Sequence, residues 1–140
     1  MRKIITLVCA LFAVIIMTAC GSGNSPKAAA EKTIKCLADN DYKGFADLVY
    51  IDEDKYSEEE QVEQRKQIAE VLESKFKTYF KATLGEIKSY KVLSVEMSED
   101  GNKASVKMNI VYEKDGKEKE DTNTMDFRKN KAGKWMVSLE

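Results

Sequence analysis

Ala104-Ser105-Val106-Lys107-Met108-Asn109-Ile110-Val111-Tyr112 is the stretch on which the fold turns. Ala104, Val106, Met108, Ile110 and Tyr112 take every second position, with Ser105, Lys107 and Asn109 between them. Successive side chains of a strand point to opposite faces, so this alternation describes a strand with one face on a core and one on water. Upstream, Leu93, Val95 and Met97 keep the same period; downstream, Met125 and Phe127 follow, then Trp135, Val137 and Leu139. Between them lie Glu99-Asp100-Gly101-Asn102, Lys114-Asp115-Gly116-Lys117 and Asn130-Lys131-Ala132-Gly133, all turn chemistry. Links this short join only antiparallel neighbours, so four strands form a meander.

One apolar face needs a covering layer, and the chain before Gly85 supplies it with a period of 3.6. Ser25-Pro26 places an N-cap and a proline at the start of a helix whose face is Ala29, Ala30, Thr33, Ile34 and Leu37. Asp39-Asn40-Asp41 breaks it, and Asp41 caps a short helix from Tyr42 to Val49. Ser57 and Glu60 form a capping box for a long third helix, Glu58 to about Lys81, striped with Ile68, Ala69, Leu72, Phe76, Tyr79 and Phe80. The expected fold is α+β, with three N-terminal helices packed on a curved four-stranded antiparallel meander sheet.

The N-terminus follows other rules. Arg2 and Lys3 precede an apolar run from Ile4 to Met17, broken only by Thr6, which is the order of a secretory signal peptide over residues 1–19. As a helix this run spans about 21 Å, short of a hydrocarbon core of about 30 Å. Met17-Thr18-Ala19-Cys20-Gly21 resembles the lipobox of bacterial lipoproteins, with Met17 where Leu is usual. The resemblance implies that Cys20 is acylated and becomes the mature N-terminus, followed by the small, polar tether Gly21-Ser22-Gly23-Asn24-Ser25 and a domain over residues 26–140. Gly21 and the lack of an acidic run after Cys20 suit a periplasm-facing anchor in the bacterial cell envelope.

Composition narrows the partners. The 140 residues hold 23 Lys+Arg, 24 Asp+Glu and no His; Arg2 and Lys3 are the only charges in residues 1–20, leaving a net charge of −3 beyond them. That is no footprint for nucleic acid. Cys9 leaves with the signal and Cys20 is acylated, so Cys36 is alone, without a partner for a disulfide. It reads as a small core hydrophobe rather than a reactive thiol.

Three features, the lipobox, the segment Ala28-Ala29-Ala30-Glu31-Lys32 leading to Asp39-Asn40-Asp41-Tyr42-Lys43-Gly44-Phe45, and the strand Gly133-Lys134-Trp135-Met136-Val137, resemble small lipoproteins with a DUF4878 domain. That domain is similar to the NTF2-like (cystatin-like) superfamily. The resemblance implies a cone in which a long helix lies in the concavity of a bent sheet. Enzymes of the superfamily, isomerases and dehydratases, build their sites there from Asp, Tyr and His. Without His the commonest general base is missing, and no catalytic residue carries over.

Other candidates reduce to ordinary roles. Counted as a calcium loop from Asp52, the acidic segment puts Ser57 where Gly is required, so it reads as a solvated loop, and Asp39 and Asp41 read as caps. No cofactor or metal motif is present. Tyr79, Phe80, Tyr90, Tyr112 and Trp135 either fill the core or line an open cleft for a small apolar ligand or peptide segment. The expectation is a non-enzymatic envelope lipoprotein, attached to the membrane through its lipid, that binds a small ligand or an envelope protein. The alternatives are an accessory subunit forming a homodimer through the outer face of its sheet, and an isomerase- or dehydratase-like enzyme using an Asp–Tyr pair.

Overall fold

A computed structural model describes residues 24–83 and 85–139, apart from the side chains of Phe80 and Lys81. Cys20 and the expected signal peptide lie outside the described residues.

The chain runs α1 (Pro26–Ala38), α2 (Tyr42–Asp47), α3 (Glu58–Val71), a π-helical turn (Leu72–Phe76), α4 (Lys77–Thr83), then β1 (Glu86–Met97), β2 (Lys103–Lys114), β3 (Lys117–Lys129) and β4 (Trp135–Ser138). The strands form one antiparallel sheet in the order β1-β2-β3-β4, the meander expected from the turns. Asp115 and Gly116 both have positive φ, 53° and 77°, the two-residue turn whose twist matches that of its strands. The caps also form: Ser25 Oγ accepts from the Ala28 amide, Asp41 from that of Gly44 and Ser57 from that of Glu60.

One face of β2 is the floor of the core. Ala104, Val106, Met108, Ile110 and Tyr112 are all buried, opposite Phe127 and Met125 on β3. The first strand departs from simple alternation. Two bulges, between Ile87 and Ser89 and between Val92 and Ser94, each add one residue. The residues facing the core side of β2 are therefore Ile87, Tyr90, Val92, Val95 and Met97, opposite Tyr112, Ile110, Met108, Val106 and Ala104. Leu93, expected on that face, is the extra residue of the second bulge, and the strand begins at Glu86 rather than near Leu93. Bulges bend a strand and increase its twist, and they conceal the period of two.

The helical layer is less even than expected. α1 lies against β1, β2 and β4 and inserts Ala30 and Ile34 into the core, while α2 adds Phe45. The long helix leans mainly on α2 and reaches the core only at its edge, through Ile68 and Leu72. No residue of Glu58–Val71 is buried, because its sequence is largely Glu, Gln, Arg and Lys.

The π-helical turn corrects the expected stripe. Each such turn takes about one residue more than an α-turn, which rotates the following face by about a quarter of a turn. Phe76 still packs inward, edge-on against Tyr42 with centroids 6.3 Å apart, but Tyr79 is 69% exposed.

The free edge of β4 is closed by residues 48–50. Val49 bridges Val137 in parallel, Tyr50 N donates to Val137 O at 2.7 Å and Val137 N donates to Leu48 O at 2.8 Å. This covers backbone groups that would otherwise invite another strand.

Candidate functional site

The five aromatic candidates do not meet at one mouth. Tyr112 and Trp135 are buried, 3% and 5% exposed, within the core. Tyr112 pairs with Lys119 and Trp135 with Lys129, ten residues apart on β3. At about 3.3 Å per residue that is some 33 Å along the strand. Tyr90 is half-buried against the core from β1, Tyr79 faces water, and the Phe80 side chain lies outside the described residues. Large aromatics at core periodicity are packed because burying them removes so much apolar surface from water.

The core face of β3 changes character along its length. From the turn with β4 towards the β2–β3 hairpin it presents Phe127, Met125, Asn123, Asp121 and Lys119. Asn123 Nδ2 donates to the Tyr112 hydroxyl at 3.5 Å. Burial pushes the Tyr112 phenol above its ordinary pKa, and the nearby Asp121 charge adds to that. Asp121 pairs with Ile110 and Tyr112 with Lys119, so the phenol and the carboxylate are diagonal neighbours on one face of the hairpin. Asp121 is exposed, however, and its charge is hydrated.

A second region collects more chemistry, at the end of the sheet where the β1–β2 and β3–β4 turns meet. Lys129 N donates to Asn102 O at 2.9 Å and ties the two turns together. The acidic loop after Tyr50 is not merely solvated, as its composition suggests. Glu53 Oε1 accepts the Lys131 amide at 3.0 Å, Asp54 accepts the Lys131 ammonium, and Asp52 Oδ1 accepts the Asp54 amide at 2.9 Å. The Asp54 carboxylate raises the pKa of Lys131.

Between loop and turn lies a cleft of about 490 Å³ with Asp52, Glu53 and Asp54 on one side and Lys103, Arg128 and Lys129 on the other. Arg128 also borders neighbouring clefts of about 430 and 260 Å³. Its guanidinium lies 4.5 Å from the centroid of the Tyr50 ring, a cation–π stack that holds the fork at the junction of the three. Lys103 and Arg128 face each other directly across β2 and β3. Like charges so placed repel, so this pair concentrates positive potential at the junction.

Arg65 is the polar anchor beneath this region. Its Nη1 donates to Ala46 O at 2.6 Å and Val49 O at 2.8 Å, serving the carbonyls where α2 ends. Burial lowers its pKa, against the opposing pull of Asp47 and Glu53. Nothing in the local sequence marks Arg65, because its partners lie 16 and 19 residues away. Cys36 is half-buried against the core, and burial, with Asp41 and Asp39, raises its thiol pKa, which suits an inert side chain.

Among the described residues no group of three or more Cys, Asp or Glu is placed to hold a metal ion, and no helix is long and apolar enough to cross a membrane. The arrangement offers mixed-charge recognition: carboxylates, a stacked guanidinium and ammonium groups around one open cleft. No family model matches the chain, and no curated protein matches it in sequence.

Proposed function

We propose that this chain is a lipid-anchored envelope lipoprotein of NTF2-like fold, whose domain binds a polar, charged segment of another envelope protein without catalysis. The order of elements, helices followed by an antiparallel meander with α1 across it, supports the fold. The sequence Met17-Thr18-Ala19-Cys20 supports the anchor.

The observation that carries the binding reading is the cleft at Arg128. Its walls carry both signs of charge, and the aromatic ring beneath the guanidinium fixes one cation in place. Such a surface complements a peptide bearing both signs better than a small apolar molecule, since unpaired charges beside an apolar ligand lose hydration without return.

Two variants test the proposal. Cys20→Ser should abolish palmitate incorporation and release the protein from envelope membranes; continued labelling would remove the anchor. Arg128→Glu in the acylated protein should lower the yield of proteins cross-linked to it in its own envelope, relative to the wild type. An unchanged cross-linking pattern would remove the cleft as the binding surface.

A further inference from the structure

The first described residue is fastened to one end of the sheet. Asn24 Nδ2 donates to Gly133 O at 3.0 Å, and the Trp135 amide donates to Asn24 Oδ1 at 3.3 Å. Residue 24 is therefore docked on the β3–β4 turn, and only residues 21–23 separate it from Cys20. Consecutive Cα atoms are at most about 3.8 Å apart, so Asn24 stands within about 15 Å of Cys20.

Basic side chains stand around this point, beside the carboxylates of residues 52–54. Lys27 follows in the first turn of α1, Lys134 adjoins Trp135, and Lys129 pairs with Trp135 with its ammonium 5.2 Å from the ring centroid. Residues 128–134 contain four basic side chains and no acidic one. Of the carboxylates at this end, Glu53 and Asp54 hold Lys131, Asp52 accepts the Asp54 amide, and Asp100 accepts from Ser98 Oγ and the Asn102 amide. The opposite end of β3 has the reverse balance, with three lysines against five carboxylates over residues 113–121. Twelve steps of about 3.3 Å put the two ends about 40 Å apart.

We infer that the domain stands on the membrane by its β3–β4 turn, with Lys27 and Lys134 against anionic phospholipid headgroups and the β2–β3 hairpin pointing away. The inference rests on the proposed acylation of Cys20, since it is the short tether that brings this end to the surface. An anionic surface attracts the basic end and repels the acidic hairpin, so the field adds to the tether.

Trp135 is the single tryptophan and lies at the end in question. The acylated full chain is reconstituted into vesicles of phosphatidylcholine alone, or of an equal mixture with phosphatidylglycerol, with and without nitroxide-labelled headgroups. Acylation of Cys20 is verified separately by mass. Trp135 emission should be quenched by the nitroxide, and more strongly in the phosphatidylglycerol mixture. A Trp135→Phe, Lys117→Trp chain, which moves the reporter to the hairpin, should escape quenching. Equal quenching of the two reporters, or an unquenched Trp135 in acylated protein, overturns the orientation and leaves the anchor intact. The same quenching in both lipid mixtures overturns the role of the lysines. Absence of acylation removes the anchor and the inference together. Should the double variant fold poorly, amide exchange of residues 130–134 and 115–117 in the wild-type chain decides: vesicles should slow the first and leave the second unchanged.

Discussion

Trp135, Gly85 and Arg65 hold the fold at the scale of single residues, and each does so by a different physical means. Trp135 is 5% exposed, so Trp135→Ala should cost about 3–5 kcal/mol through lost burial and the cavity left behind. A urea midpoint unchanged from the wild type would place its ring outside the core. Gly85 has φ of +88°, and a Cβ there would run into the carbonyl oxygen of Glu113. Gly85→Ala should therefore destabilise the domain by about 1–3 kcal/mol from backbone strain alone, before the clash is counted; equal thermal stability would show that the link into β1 can relax. Arg65→Ala removes the donor to two carbonyls at the end of α2, at a cost of about 1–3 kcal/mol, and Arg65→Lys should recover only part because it lacks the planar fork. Of these three, only Trp135 could be weighed from the sequence, as an aromatic on an alternating strand. The roles of Gly85 and Arg65 depend on residues brought near by folding.

Elements were legible in proportion to the regularity of their period. β2 repeats every two residues without interruption, and its five core residues are those the alternation selects. β1 has the same inward face but spaces it three, two, three and two residues apart, because Lys88 and Leu93 sit in bulges. A search for strict alternation therefore finds only its last part. Deleting Leu93 would only remove the bulge and leave Val92 and Val95 two positions apart and both inward. Deleting Lys91, which pairs regularly with Asn109, should instead turn the residues on one side of it to the opposite face and expose either Tyr90 or Val92, since a slip of one residue reverses every side chain. Loss of cooperative unfolding for the Lys91 deletion, followed by near-ultraviolet circular dichroism, is the expected result. A Lys91 deletion tolerated without loss would mean that the neighbouring bulge takes up the slip. The long helix hides its face for a related reason: the π-helical turn at Leu72–Phe76 changes the phase of its stripe, so Tyr79 faces water although its spacing from Ile68 and Leu72 suits the core. The cleft at Arg128 was hidden for a different reason, since its two walls are about 75 residues apart in sequence and meet only because residues 48–50 pair with β4.

At the scale of the whole molecule, the missing histidines set the response to pH. With no His in the chain, no side chain has an ordinary pKa between about 5 and 8, and folding stability should be nearly flat from about pH 6 to 8. The alkaline side differs. Burial raises Cys36 above the ordinary 9.0 of a thiol, and Tyr42 and Tyr112 above the ordinary 10.0 of a phenol. The unfolded chain then gives up these protons more readily than the folded one. A raised folded pKa stabilises fully below the unfolded value and loses that contribution as pH climbs through the folded value, so stability should fall from about pH 9 upward. Lys131, raised by Asp54, adds in the same direction. On the acid side the hydrogen bonds from Ser98 and Asn102 hold Asp100 below its ordinary 3.8, and that contribution is lost only as pH falls through that range. Urea midpoints measured from about pH 5 to 11 should thus trace a plateau with an alkaline decline, and Tyr112→Phe should make the decline shallower. A slope between about pH 6 and 8 would require a titrating side chain that this sequence does not have, and an unchanged decline in Tyr112→Phe would take Tyr112 out of the account.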